Sequence, residues 1–171
     1  MIPDLARALA PMTNRIRLMI GRAVIAAVDD ATKVQALQID LLADETLGEV
    51  EHFQGYGLTS HPPVGLEALV AFVGGTRSHG VVVAVGDRQY RLRALEQGEV
   101  ALYDDQGQVV KLGRDGVLIQ TDKPVRVEGE TVTVIADRVD LGGEGGPAVA
   151  RVGDPVVGGV IQAGSSKVFA A

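Results

Sequence analysis

Three histidines, His52, His61 and His79, are the residues of this chain best suited to proton transfer or metal ligation. Their spacing matches no zinc pattern, and the chain has no cysteine, which excludes thiolate metal sites and disulfides. Ser78 beside His79 offers a nucleophile next to a base. Neighbours on a strand point to opposite faces, so these two cannot pair with each other. Asp29-Asp30 and Asp104-Asp105 are adjacent carboxylates, the second flanked by Gly107, and read as solvated turn residues rather than an acid and base pair. The run Gly142-Gly143-Glu144-Gly145-Gly146 has the composition of a phosphate loop. Such a loop needs a following helix N-terminus to supply amide donors. Pro147 and a strand-like segment follow instead, so a turn is expected. The chemistry-bearing residues therefore give no catalytic site, no cofactor site and no metal site.

The elements that would position those residues are strands. The chain has 171 residues, 46% of them hydrophobic, which is compatible with a folded protein and argues against disorder. Aromatic content is only 4%, low for a self-contained globule, because aromatics normally dominate core burial. The 22 glycines fall mostly where turns are expected. A net charge of -6 opposes non-specific binding to nucleic acid, which needs clustered Lys and Arg. No apolar run reaches the ~18 residues of a membrane span. The start, Met1-Ile2-Pro3-Asp4, lacks a basic region before an apolar core, so no signal peptide is expected. The expected site of synthesis is the cytoplasm, with export only as part of an assembly.

Residues 4–19 carry Leu5, Leu9, Met12, Ile16 and Met19 at helical spacing, with Asp4 as N-cap and Pro11 as a kink. This helical arm, residues 1–19, packs on its own domain or docks on a neighbour. Residues 20–92 read as a compact β-domain. Strands are expected at Gly21–Val28, Val34–Leu42, Glu49–Phe53, Leu66–Val73 and Gly80–Val85, with Gln89–Leu92 ending the unit. Gly48 lies in a loop, and Pro62-Pro63 in a connector that cannot donate to a ladder. Five or six strands in this length suggest a small Greek-key barrel such as an OB-fold. Such barrels hold oligosaccharides or single strands. Here Phe53, Tyr56, Phe72 and Tyr90 lack the basic cluster that nucleic acid needs, so such a binding module on an oligomerisation stalk ranks second.

Beyond Arg91 the strands shorten. Val100–Tyr103, Val109–Leu112, Val117–Thr121, Val125–Val127, Val132–Ala136 and Val139–Leu141 follow one another with Gly, Asp or Pro between most of them. Many alternate apolar and polar residues, so each has one dry face, yet Tyr103 is the only large residue among them. A sheet this thin has nothing of its own to cover that face. Identical chains must supply the missing core. Residues 93–147 thus read as a multi-chain β-prism or β-helix, with Val125, Val127, Val132, Val134, Val139 and Leu141 turned inward. Residues 148–171 read as a separate cap. Its Val156, Val157, Val160, Ile161, Val168 and Phe169 supply a small dry core where identical chains meet.

Phe53-Gln54-Gly55-Tyr56-Gly57-Leu58-Thr59-Ser60, Pro63, Gly65-Leu66-Glu67, Gly74-Gly75-Thr76-Arg77-Ser78-His79, Tyr90-Arg91 and Gly98-Glu99-Val100-Ala101-Leu102-Tyr103 occur in this order. Together they resemble the phage Mu-type baseplate spike proteins, also called baseplate assembly protein V or tail-puncturing proteins. The resemblance covers roughly residues 15–171. It implies an all-β chain with a short N-terminal helix, an OB-fold barrel, an intertwined trimeric β-helix shaft and a small β tip. It also implies the work of a virion part, the central spike of a contractile tail that pierces the host outer membrane. The partners implied are two further copies, baseplate hub and tail-tube proteins through the N-terminal domain, and the membrane through the tip. Ala150-Arg151-Val152-Gly153-Asp154-Pro155, Gly158-Gly159-Val160-Ile161 and Gly164-Ser165-Ser166-Lys167-Val168 are similar to the tips of PAAR-type spikes. Related tips often hold an axial metal through histidines or cysteines. Here the last histidine is His79, so that ligand set does not carry over.

Overall fold

The computed structural model describes residues 2–41 and 44–170, with side chains from Arg7 onward. Asp4 falls inside the helix Ile2–Arg17 rather than capping it, because the helix begins two residues earlier. The Leu5 side chain, Leu42 as a strand end and Ala171 as part of the tip lie outside the described residues. Among the described residues, apart from one helix and one short 3-10 turn, every regular element is a strand, as the sequence implies.

Helix α1 spans Ile2–Arg17 and runs through Pro11. It ends two residues before the expected Met19. The Leu18 amide is shared between the carbonyls of Asn14 and Arg15, which tightens the last turn, and the Met19 carbonyl instead accepts the Phe72 amide at 2.7 Å. Met19 thus leaves the helical stripe to join the barrel.

Five strands follow: β1 Ile20–Asp29, β2 Ala36–Leu41, β3 Glu45–His52, β4 Glu67–Phe72 and β5 Gly80–Gly86. They close a barrel in the order β1-β2-β3-β5-β4, and the parallel β3–β5 pair makes the closure. Non-sequential order in a closed five-stranded barrel fits an OB-fold. Alternation along β1, β2 and β4 sends Ile25, Leu37, Ile39, Val70, Phe72 and Val82 of β5 into a fully buried core. Each such side chain contributes roughly 1.5–3 kcal/mol by leaving water, so the barrel has a core of its own. Gly21 and Gly80 flank the Phe72 ring. A Cβ on Gly21 would stand 2.9 Å from it and one on Gly80 3.1 Å, so the ring occupies space that only glycine leaves.

Several boundaries differ from the expectation. Gly48 lies inside β3 rather than in a loop. Glu49 has φ +55 and the β2–β3 register shifts beside it, so a bulge carries the strand past residues with poor strand propensity. Val34 precedes β2, its carbonyl taken by the Thr32 hydroxyl. Gln89–Leu92 is not a strand, because the Asp87 carboxylate accepts the amides of Gln89 and Tyr90 and folds the chain into a turn.

Strands β6 Val100–Tyr103, β7 Val109–Leu112 and β8 Val117–Gln120 form an antiparallel three-stranded sheet. Val125–Val127 and Val132–Ala136 carry the strand pattern but join no ladder. A strand needs a neighbour, and one chain offers these segments none. Past Val82 no described residue is buried.

The chain divides into two compact units, one ending at Asp122 and one beginning at Lys123. The three-stranded sheet belongs to the first. In the second, β9 Val139–Leu141 pairs in parallel with β12 Val168–Ala170. Between them β10 Val156–Val157 and β11 Val160–Ile161 make a hairpin turned by Gly158 and Gly159, both in the left-handed region.

Candidate functional site

The residues that could do chemistry are employed in holding turns. Asp29 accepts the Ala31 amide, and Asp104 accepts the amides of Gln106 and Gln108 and the Gln108 side chain. A hollow of about 590 Å³ is lined by His61, Asp87, Tyr90, Tyr103 and Asp104, but the Asp87 and Asp104 carboxylates are already committed to backbone amides. Ser78 and His79 lie in the turn before β5 rather than on a strand, so the opposite-face argument against their pairing does not apply there. His79 itself closes the turn: its amide donates to Thr76 and its carbonyl accepts from Val73. The run Gly142–Gly146 is a turn with Gly142, Gly143 and Gly145 at positive φ, followed by Pro147 and a bridge at Ala148 rather than by a helix. Among the described residues no three of His, Cys, Asp and Glu gather as metal ligands would. From Lys123 onward the chain has no histidine or cysteine, so its donors do not suit a soft or borderline metal.

His52 organises a hydrogen-bond network. It ends β3 on the barrel wall and is buried. Its Nδ1 lies 2.7 Å from Gln35 Oε1, and the Gln35 Nε2 donates to Asp30 Oδ1 and to the Ser60 carbonyl. Gln54 continues the network, accepting the Ser60 amide at 2.7 Å. Burial lowers the His52 pKa below 6.5. These contacts tie the β1–β2 turn to the connector after β3. From that connector Phe53, Tyr56 and Leu58 project into solvent. Phe72 is in the core, so the barrel aromatics form no single platform. Sequence reasoning missed this network because its members are scattered from Asp30 to Ser60 with no repeating spacing.

Two arginine stacks were also not foreseen. Arg77 lies over Phe72, 4.5 Å from the ring centroid, and pairs with Glu45. Arg138 lies 4.0 Å over Phe169 while holding Asp140 through two nitrogens, which lowers the Asp140 pKa. Glu99, nearly enclosed, accepts the amides of Glu96 and Arg114 and pairs with Lys111 at 3.0 Å. The Glu96 amide is the first cause of its lowered pKa.

Of the apolar positions singled out above, Val125, Val127, Val132 and Val134 are exposed in the single chain, Leu141 is exposed and Val139 half-buried. At the hairpin Val156, Val157, Val160 and Ile161 are exposed, whereas Val168 and Phe169 on β12 are half-buried. The surface thus carries runs of apolar side chains that a lone soluble chain does not normally expose.

The family described as Bacteriophage Mu Gp45, N-terminal, matches residues 22–89. The chain is also 44% identical over 141 residues to the "Baseplate puncturing device gp45" of Escherichia phage Mu, covering 82% of this chain and 72% of that protein. This chain belongs to the Mu gp45 family. The "Mu-like prophage FluMu protein gp45" of Haemophilus influenzae is 38% identical over 133 residues, covering 78% of this chain and 72% of its own. The matched gp45 N-terminal region begins in β1 and ends just beyond β5, so it coincides with the barrel. The similarity to the whole gp45 chains runs well past the barrel, since 141 residues exceed its length. The likeness to Mu-type spike proteins read from the sequence is therefore borne out.

Proposed function

We propose that this chain is the central spike of a contractile phage or phage-like tail, and that its work is puncturing rather than catalysis. Kinship with the Mu puncturing device over most of both chains carries the reading. It favours the spike over the alternative of an oligosaccharide- or nucleic-acid-binding module. The proposed working form is a parallel homotrimer. That no described residue past Val82 is buried supports this, because a segment this rich in valine gains stability only where its dry faces are covered. Residues 1–19 are the arm, 20–92 the collar that joins hub and tube proteins, 93–147 the shaft and 148–171 the tip that meets the outer membrane. In that arrangement Val125, Val127, Val132, Val134, Val139 and Leu141 face the axis. Val156, Val157, Val160, Ile161, Val168 and Phe169 form the apolar tip.

Native mass measurement of the full chain tests the assembly. A trimer at micromolar concentration is expected, and a folded monomer would remove the spike reading. A chain beginning at Leu92 tests the division of roles. It should be absent from assembled tail particles, and its recovery there would contradict the collar assignment.

A further inference from the structure

Helix α1 is poorly employed in its own chain. Its last turn rests against the 3-10 turn Val73–Gly75: a Cβ on Gly75 would come within 2.3 Å of the Arg15 carbonyl. Farther out, Leu9, Met12 and Ile16 line one face at spacings of three and four, and all three are exposed. The helix also differs in charge from the rest. Arg7, Arg15 and Arg17 stand against Asp4 in a chain of net charge -6. Among the described residues none of these arginines makes an ion pair.

The barrel carries the complementary features. On its outer wall a shallow hollow of about 350 Å³ is bounded by Ala23, Val24 and Leu41; Ala23 and Leu41 are buried in the core, and Val24 alone of the three is exposed. Its rim holds Arg22, Asp40 and Glu67. Glu67 is satisfied by Arg22 at 3.3 Å and Arg88 at 2.9 Å. Asp40 accepts only the Thr46 hydroxyl, at 2.6 Å, and has no cation beside it among the described residues. The outward side of β1 and β4 next to the hollow continues with Ile20 and Leu69, both exposed. An exposed apolar strip of Ile20, Val24 and Leu69 beside one uncompensated carboxylate suits a helix with an apolar stripe and spare arginines.

We propose that α1 of one copy docks at this hollow on a second copy, with Met12 and its neighbours over Val24 and Leu69 and an arginine reaching Asp40. Each chain then gives one helix and receives one, a head-to-tail contact that closes around a rotation axis. The inference goes beyond the spike reading but rests on the self-association proposed with it.

A photoreactive benzoylphenylalanine in place of Met12, in the full chain, tests it. The chain has no cysteine, so covalent oligomers on a denaturing gel arise only from the photoreaction. Irradiation should give covalent dimers and trimers, with adducts mapped to the tryptic segments 23–33 or 34–77 of another copy. Asp40→Lys should abolish most of that product, and Asp40→Glu should retain it. Adducts confined to a second α1, to the same chain or to a different baseplate protein would overturn the proposal. So would full yield with Asp40→Lys. If the protein is trimeric by native mass yet gives no such adduct, helix docking fails and the spike assembly stands. If it is a monomer, the self-association fails as well.

Discussion

His52 Nδ1 lies 2.7 Å from the side-chain oxygen of Gln35, and the donors around that oxygen decide the imidazole tautomer. Both hydrogens of Gln35 Nε2 are engaged, by Asp30 Oδ1 at 2.8 Å and by the Ser60 carbonyl at 2.9 Å. Gln35 Oε1 can therefore only accept, so His52 Nδ1 carries the proton in the neutral ring. A second proton would place a charge in a buried position.

The first prediction is a pH dependence. Burial lowers the His52 pKa below the ordinary 6.5, so the unfolded chain takes up a proton that the folded one resists. The contribution of His52 to stability is full above that ordinary value and falls as pH drops through 6.5 towards the folded pKa. Melting temperatures of the native protein and of His52→Gln between pH 7.5 and pH 5, ~2.5 units spanning the ordinary histidine range, check this. The native protein should lose more than the variant, and parallel curves would contradict it.

Removing the other end of the contact should cost more at constant pH. Gln35→Leu leaves the His52 N–H, the Asp30 carboxylate and the Ser60 carbonyl without their shared partner. The buried His52 N–H so orphaned costs about 1–3 kcal/mol, and the exposed Asp30 and Ser60 less, since the Ser60 carbonyl keeps the Gln54 amide as a donor. Denaturant unfolding of the barrel should move to lower midpoint. Hydrogen exchange should rise first in the connector near Ser60, which Gln35 tethers.

Gly75→Ala should release the helix while sparing the barrel. Gly75 has φ +72 and its missing Cβ faces the Arg15 carbonyl. An alanine meets both backbone strain and a backbone clash that no rotamer relieves. Trypsin should cut after Arg15 and Arg17 faster in the variant, with the far-ultraviolet strand signal retained. Unchanged cleavage would show that this contact does not seat the helix.

Val134→Asp tests the inward face proposed for the shaft. Three carboxylates brought near one axis would each cost several kcal/mol unless neutralised. Loss of the trimer, or a large fall in its melting temperature, is expected by native mass and calorimetry. A trimer as heat-stable as the native one would place Val134 on the outside.

Elemental analysis of protein purified without chelator should find no stoichiometric iron or zinc, since the donors these metals prefer are absent after His79. One ion per trimer in residues 148–171 would contradict the expectation. Removing residues 148–171 also takes β12 from β9 and Phe169 from beneath Arg138. The truncated protein should still trimerise through residues 93–147 but fail to penetrate outer-membrane vesicles.

The sequence by itself determined that the chain is built of strands, where β1, β4, β5, β6 and β7 lie, and that its later half lacks a core. Alternation and turn residues are local signals, and they survive without tertiary context. The Val100–Tyr103 and Val109–Leu112 strands could be read from valine and leucine between glycine-bearing turns alone. The family was legible too, because its motifs run in order along the chain. Closure was not. That β3 pairs in parallel with β5 depends on residues thirty apart meeting, as Glu51 does with Val81, and no local pattern encodes it. Gly48 read as a loop until the β2–β3 register absorbed it beside Glu49 in a bulge. The His52–Gln35 contact, the Arg138–Phe169 stack and the return of β12 to β9 are likewise decided by packing at long separation. At Val125–Val127 and Val132–Ala136 the local signal is strong, yet one chain supplies no ladder, because a strand is completed only by a neighbour.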